Sequence, residues 1–205
     1  RAGQPVLIHD FADREGETDI VYPATGVDPA AIRRLRNDAG GLICVALGDS
    51  VAERFDLPFL QDALGHPATE NHTLSYDERS SFSITVNHRT TETGITDRDR
   101  ATTINELGAA AATADYDGET FATEFRSPGH VHLLRAAPAL LADRAGHTEL
   151  GIALAEAADQ PPAAVVCEML DDDTGTALSP TDAAGYAARN DLVYVEGSAL
   201  LDRLG

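Results

Sequence analysis

Short apolar runs alternate along the chain with stretches whose apolar positions recur every three or four residues, the pattern of an α/β layered fold. Val6 to Ile8 predicts an opening strand. Asp28 and Pro29 suit the N-cap and first position of a helix, Ile32 and Leu35 share one of its faces, and Gly40 with Gly41 ends it. A buried strand is expected over Leu42 to Leu47 and a short helix over Ser50 to Phe55. The polar stretch from Gly65 to Ser80 has little periodicity and predicts a long excursion. Phe82, Ile84 and Val86 alternate with polar residues, so a half-wet strand ends near His88. A helix from Asp99 to about Ala112 follows. After the turn Ser127, Pro128, Gly129, a strand runs from His130 to near Arg135, a reading that sends His130 and His132 to opposite faces and lets at most one enter a given site. A helix starting at His147 buries Leu150, Leu154 and Ala158. Ala163 to Leu170 reads as a strand apolar on both faces apart from Glu168. Ser179 and Pro180 open another helix, Leu192 to Val195 forms a strand, and Ser198 to Leu204 a last helical turn or two.

These elements predict an α/β (α+β) single-domain layered fold over residues 1–205, a mixed sheet flanked by helices, with no internal repeat or linker. No apolar run approaches the ~18 residues of a membrane span. Thirty-four acidic residues against 15 basic ones give a net charge of −19, which repels nucleic acid and anionic lipid alike. All 15 basic residues are arginine. Dispersed acids without lysine point to a protein that stays hydrated in concentrated salt, where charge repulsion is screened to a few ångströms. Cys44 and Cys167 lie in apolar runs without metal-ligand spacing, so neither a disulfide framework nor a thiolate zinc site is expected. No secretory signal is visible and the cytoplasm is the expected compartment, although the first residue is Arg1 rather than methionine.

Two constellations carry candidate chemistry. The first is Asp13, Arg14, Glu15, Gly16, Glu17, Thr18, Asp19, between two apolar runs. Such a segment is either a solvated turn or a loop that aims alternate carboxylates, Glu15, Glu17 and Asp19, at one cation. Oxygen ligands of this kind suit magnesium. The second is Arg144, Ala145, Gly146, His147, Thr148 at a helix start, either an anion site made for phosphate or an N-cap by Thr148 with a surface histidine. Three more polar residues interrupt buried patterns. Glu168 sits where a charge is costly unless paired or working. His130 is either a satisfied strand histidine or a site residue, and Cys44 is most simply inert packing.

Together these residues resemble a known family. The runs VLIHDFADREGETDIVYPA from Val6, NHRTTETGITDRDRATTI from Asn87, SPGHVHLLRA from Ser127, RAGHTELGIALAEAA from Arg144 and AAVVCEMLDDDTGTALS from Ala163 look like 3,4-dihydroxy-2-butanone 4-phosphate synthase, and REGETD resembles its archaeal branch. The resemblance implies a magnesium- or manganese-dependent lyase, with two ions per site, that converts D-ribulose 5-phosphate into formate and the four-carbon phosphate used in riboflavin biosynthesis. It implies a homodimer with active sites at or near the subunit interface, and a monofunctional enzyme whose first family helix has been trimmed away.

Carried onto this sequence, the resemblance makes Glu15 and His147 the metal ligands and His130 and Glu168 the catalytic side chains. Arg14, Asp19, Thr93, Arg144, Ala145, Gly146 and Thr148 become substrate contacts, joined by Glu15, His147 and Glu168. Glu17 falls on a second acidic position that shapes the site, and Cys44 on an active-site cysteine. Glu92 departs from the threonine of many bacterial members. Two rivals share some of these features: another divalent-metal-dependent sugar-phosphate isomerase or aldolase, and a non-catalytic binding protein with a solvated acidic loop.

Overall fold

The computed structural model describes residues 3–11, 14–70, 77 and 79–205. Seven strands join one mixed sheet: β1 (Val6–His9), β2 (Thr18–Pro23), β3 (Cys44–Leu47), β4 (Phe82–His88), β5 (Phe125–Arg135), β6 (Ala163–Val166) and β7 (Val193–Glu196), in the order β4-β5-β3-β6-β2-β1-β7. The pairs β1 with β7 and β3 with β5 are parallel, and the rest are antiparallel.

The alternation of side chains along each strand sends residues to two packed layers. On one face Leu7, Ile20, Val45 and Val165 meet Ile32 of α1 (Pro29–Arg34) and Ile104 and Leu107 of α5 (Asp97–Ala112). On the other, Ile8, Val21, Ala46 and Val166 meet Leu150 and Ile152 of α7 (His147–Ala157) and Leu200 of α9 (Gly197–Leu204). The central strands β3 and β6 are buried along their whole length, which is why they read as unbroken apolar runs. Helix α2 (Asp49–Arg54), the single turns α3 (Leu60–Ala63) and α4 (Pro67–Glu70), α6 (Gly118–Glu124) and α8 (Pro180–Arg189) complete the order. No helix among the described residues is long and apolar enough to cross a membrane.

Asp28 caps α1 as its sequence predicts, its carboxylate accepting the Ala31 N–H at 2.7 Å. Other boundaries move. Helix α5 starts at Asp97 rather than Asp99, capped by Thr96, whose hydroxyl accepts the Asp99 N–H. Strand β2 begins at Thr18, so Asp19 is a buried strand residue paired with Ile8 rather than part of a loop. Strand β6 stops at Val166, and Glu168 is held to β2 by an isolated bridge to Asp19. Strand β5 starts five residues before His130, with an irregularity opposite Val86 and Asn87. Residues two apart on a strand share a face, so the expectation that His130 and His132 diverge is corrected: the two differ in exposure, His130 being exposed and His132 half-buried. Much of the expected excursion, residues 71–76 and 78, lies outside the described residues, as do Arg1 and Asp13.

Candidate active site

The β1–β2 connection is wound around one buried carboxylate. Asp10 follows β1, is 3% exposed, and accepts the backbone N–H of Glu17 at 3.0 Å and of Glu15 at 3.4 Å. Gly16 closes the turn with φ of +67°, a left-handed backbone that glycine adopts without strain. The winding brings the Glu15 carboxylate back over β2, where Asp19 points to the same side. His147, the first residue of α7, completes the cluster: its Nδ1 lies 3.6 Å from Glu15 Oε2 and 3.6 Å from Asp19 Oδ1.

The other ring nitrogen fixes how this histidine is used. Nε2 faces the carbonyl of Ile8 at 3.2 Å, and a carbonyl only accepts, so Nε2–H donates and Nδ1 is turned toward the carboxylates. Donation from the remote nitrogen to a carbonyl is the usual support of a metal-binding imidazole. The ligand atoms of Asp10, Glu15 and His147 all fall within 4.8 Å of one another. Asp19 Oδ1 is buried without a hydrogen-bond partner among the described residues. A shared positive charge therefore fits the donor set. Burial, opposed by His147, pushes the Asp19 carboxyl up to about 8. Burial disfavours charge on His147, yet Asp19, Glu15 and Asp10 outweigh it and raise the imidazole to about 9. Glu17 stands at the edge of the cluster, half-buried, its carboxyl raised by burial and by the charges of Glu15 and Glu168.

Beside the cluster lies an anion seat. A Cβ on Gly146 would stand 2.7 Å from Arg144 Nη1 and 3.0 Å from Arg14 Nη2, so only glycine lets both guanidiniums approach the start of α7. Helix N–H groups and two arginines at one point are a natural phosphate site. Here the carboxylate of Asp77 bridges Arg14 and Arg144. Glu149, fully buried, orients Arg144 by accepting Nη1 at 2.7 Å with one oxygen and the Ala137 N–H at 2.9 Å with the other.

A cavity of about 100 Å³ is lined by Glu15, Asp19, Cys44, Arg144, His147, Thr148 and Glu168. Glu168 enters it at the isolated bridge, accepting the Leu42 N–H at 2.8 Å. A Cβ on Gly41 would be 2.4 Å from the Glu168 Oε2, so this glycine makes room for the carboxylate. Burial raises the Cys44 thiol well above its ordinary range, so it is a neutral lining group. Arg14, Ala145 and Gly146 adjoin this cavity through the anion seat.

Two nominated residues lie away from the cavity, the carboxylate cluster and the anion seat alike. His130 and Thr93 are exposed and gather instead at the far end of β4 and β5. Thr93 Oγ1 donates to Asp99 at 3.2 Å, and Asn87 holds His130. Sequence reasoning missed Asp10, Asp77, Asn87 and Glu149. Asp10, two places beyond the last apolar residue of the opening strand, was the most findable.

A family model described as 3,4-dihydroxy-2-butanone 4-phosphate synthase matches residues 1–203. A protein of that name from Methanothermobacter thermautotrophicus is 47% identical over 98% of this chain and 91% of its own length. Another from Archaeoglobus fulgidus is 46% identical over 98% and 89%. Among solved structures, a 3,4-dihydroxy-2-butanone 4-phosphate synthase in complex with two magnesium ions superposes with a TM-score of 0.80 at 28% identity, covering 96% of this chain and 88% of that one. The synthase of Candida albicans gives 0.80 at 26% identity over 99% and 92%.

Proposed function

Because the chain belongs to the 3,4-dihydroxy-2-butanone 4-phosphate synthase family, we infer that it is the lyase that converts D-ribulose 5-phosphate to L-3,4-dihydroxy-2-butanone 4-phosphate and formate in riboflavin biosynthesis. The observation that carries this reading is the meeting of His147 Nδ1 with two carboxylates immediately beside two guanidiniums at a helix start. A phosphorylated ketose needs both halves. The archaeal relatives, of whose length the chain spans about nine-tenths, are named for this activity.

Glu15 and His147 are assigned as ligands of magnesium or manganese, with two ions per site as the proposed count, in keeping with the magnesium-bound relative. When bound, a divalent ion supplies Lewis-acid stabilisation of negative charge on the ketose oxygens. Arg144, Arg14, Ala145, Gly146 and Thr148 hold the phosphate, which must displace Asp77 from the guanidinium pair. Asp19 and Glu17 keep the cation end of the site negative. Cys44 packs as a neutral thiol against the carbon chain. Glu168, a carboxylate half-buried at the cavity wall, takes and returns protons, and His130 is the second catalytic side chain.

His130 and Thr93 reach the substrate in this reading from the second chain of a homodimer. Their exposure supports it, as does the apolar surface near both regions: Phe82, which lines the cavity, is 39% exposed, Leu42 40%, and Ile95, beside Thr93, 51%. A single-domain, cytoplasmic, salt-adapted protein is the accompanying proposal, and the absence of lysine and the charge of −19 support its salt adaptation.

A formate assay with ribulose 5-phosphate, magnesium and high salt tests the function. Stoichiometric formate is expected. A rearranged or cleaved pentulose without formate would replace this reading with a sugar-phosphate isomerase or aldolase.

A further inference from the structure

His130 and Glu168 are both nominated for proton chemistry, and the surroundings of His130 distinguish their parts. Asn87, at β4 and 3% exposed, makes two contacts with this one residue. Its Oδ1 accepts the backbone N–H of His130 at 2.8 Å. A peptide N–H only donates, so the oxygen of the amide must face it and the amide orientation is settled. The Nδ2 group, which is purely a donor, then lies 3.1 Å from His130 Nδ1. That nitrogen has to present a lone pair.

Gly94 leaves room for this amide. It lies on the other side of Asn87 with φ of +86°, and a Cβ there would stand 2.0 Å from Nδ2. Gly94 is in turn fixed by its own N–H, which donates to Asp99 Oδ2 at 2.8 Å.

We propose that Asn87 is a positioning residue that locks His130 as the neutral Nε2–H tautomer, so that His130 serves the reaction as a hydrogen-bond donor to a substrate oxygen and not as a base. The lone pair of the neutral ring is committed to Asn87 through Nδ1. Nε2–H is the group left to meet the substrate, and a neutral imidazole in this state polarises an oxygen without giving up its proton. Net proton transfer then falls to Glu168, whose carboxylate becomes a carboxylic acid as it takes a carbon-bound proton and returns to carboxylate when it releases that proton. This assignment rests on His130 being a site residue of the synthase reaction.

The test is a long-range proton–nitrogen NMR correlation spectrum of the full-length protein with its seven histidines labelled with nitrogen-15, the His130 signals being identified by their loss in His130→Gln. The wild type is expected to show a protonated Nε2 and an unprotonated Nδ1 at neutral pH. In Asn87→Asp, a near-isosteric change, the carboxylate draws the proton to Nδ1, and formate production falls about tenfold or more. Asn87→Ser, which shortens the side chain, is expected to give a tautomer mixture and an intermediate rate. An Nδ1–H tautomer in the wild type overturns the proposal without recourse to any variant. So does an Asn87→Asp protein whose tautomer inverts while formate release is unchanged. Full activity in His130→Gln would instead remove the premise that His130 takes part in the reaction, a result separable from the spectrum.

Discussion

Around the start of α7, charges are buried and answer one another; at the far end of β4 and β5, an exposed imidazole is held by a neutral amide. In the first region Asp10, Asp19 and His147 are each at most 7% exposed, and none is tolerable there without the others or a cation. In the second, Thr93 and His130 stand at the surface, and their supports, Asn87 and Asp99, fix position rather than balance charge. In the proposed reading, the difference is that one chain assembles its own cation and phosphate seat, whereas its donor group is oriented but not delivered.

Changes in the charged region should have the largest effects. His147→Ala is expected to abolish formate production irreversibly, while chelation with EDTA abolishes it in the wild type until magnesium is added. Full turnover in metal-free buffer would break the contrast, since the buried carboxylates would then need no cation. Glu168→Gln should lose about 10²-fold or more in turnover. The fold should survive it, because the amide oxygen still accepts the Leu42 N–H. Near-normal turnover with an unchanged melting curve would remove Glu168 from the chemistry.

The two regions are also expected to loosen at opposite ends of the pH scale. His147 in the metal-free protein is raised from 6.5 to about 9, so its contribution to stability is complete below 6.5 and lost as pH rises through about 9. Thermal melting of the EDTA-treated protein should fall across that window, and magnesium should flatten the dependence. Asp99 behaves oppositely. Hydrogen bonds, first that from the Gly94 N–H, hold its carboxyl below the ordinary 3.8, so its support is present above 3.8 and lost as pH falls through the lower folded value. The protection of the Thr93 and Gly94 amides against exchange, both of which donate to Asp99, should fall in acid before that of the core. Uniform exchange across the molecule would show that this loop has no separate support. A smaller effect, shared by both regions, is expected from dilution of salt: with −19 on the chain, weaker screening should lower the melting temperature, and an unchanged melt would contradict salt adaptation.

The charged region was the more legible in the sequence. Arg144, Gly146 and His147 occupy a helix start whose chemistry follows from local spacing, and the carboxylates of Glu15 and Asp19 crowd a short segment between apolar runs. What spacing could not reveal is that Asp19 belongs to β2 and is buried, because that depends on pairing with Ile8 from another strand. Asp10 is one more acid in an acidic chain by sequence, and only the fold brings its oxygens to the turn's N–H groups. In the second region, α6 escaped notice because Phe121 is its one buried side chain, leaving almost no apolar stripe. Asn87 carried no signal either. An asparagine near a strand end is ordinary, and its grip on His130 exists only through the pairing of β4 with β5.

The division of labour between two prepared regions is tested most directly by mixing two inactive variants. Glu15→Gln removes the cation seat, and His130→Gln removes the donor. If the site is completed across a homodimer, each variant alone releases almost no formate, and co-refolding them yields mixed dimers in which one site has both intact regions, so activity returns. If the mixture stays as inactive as its parents although mixed dimers form, both regions act within one chain and the account fails.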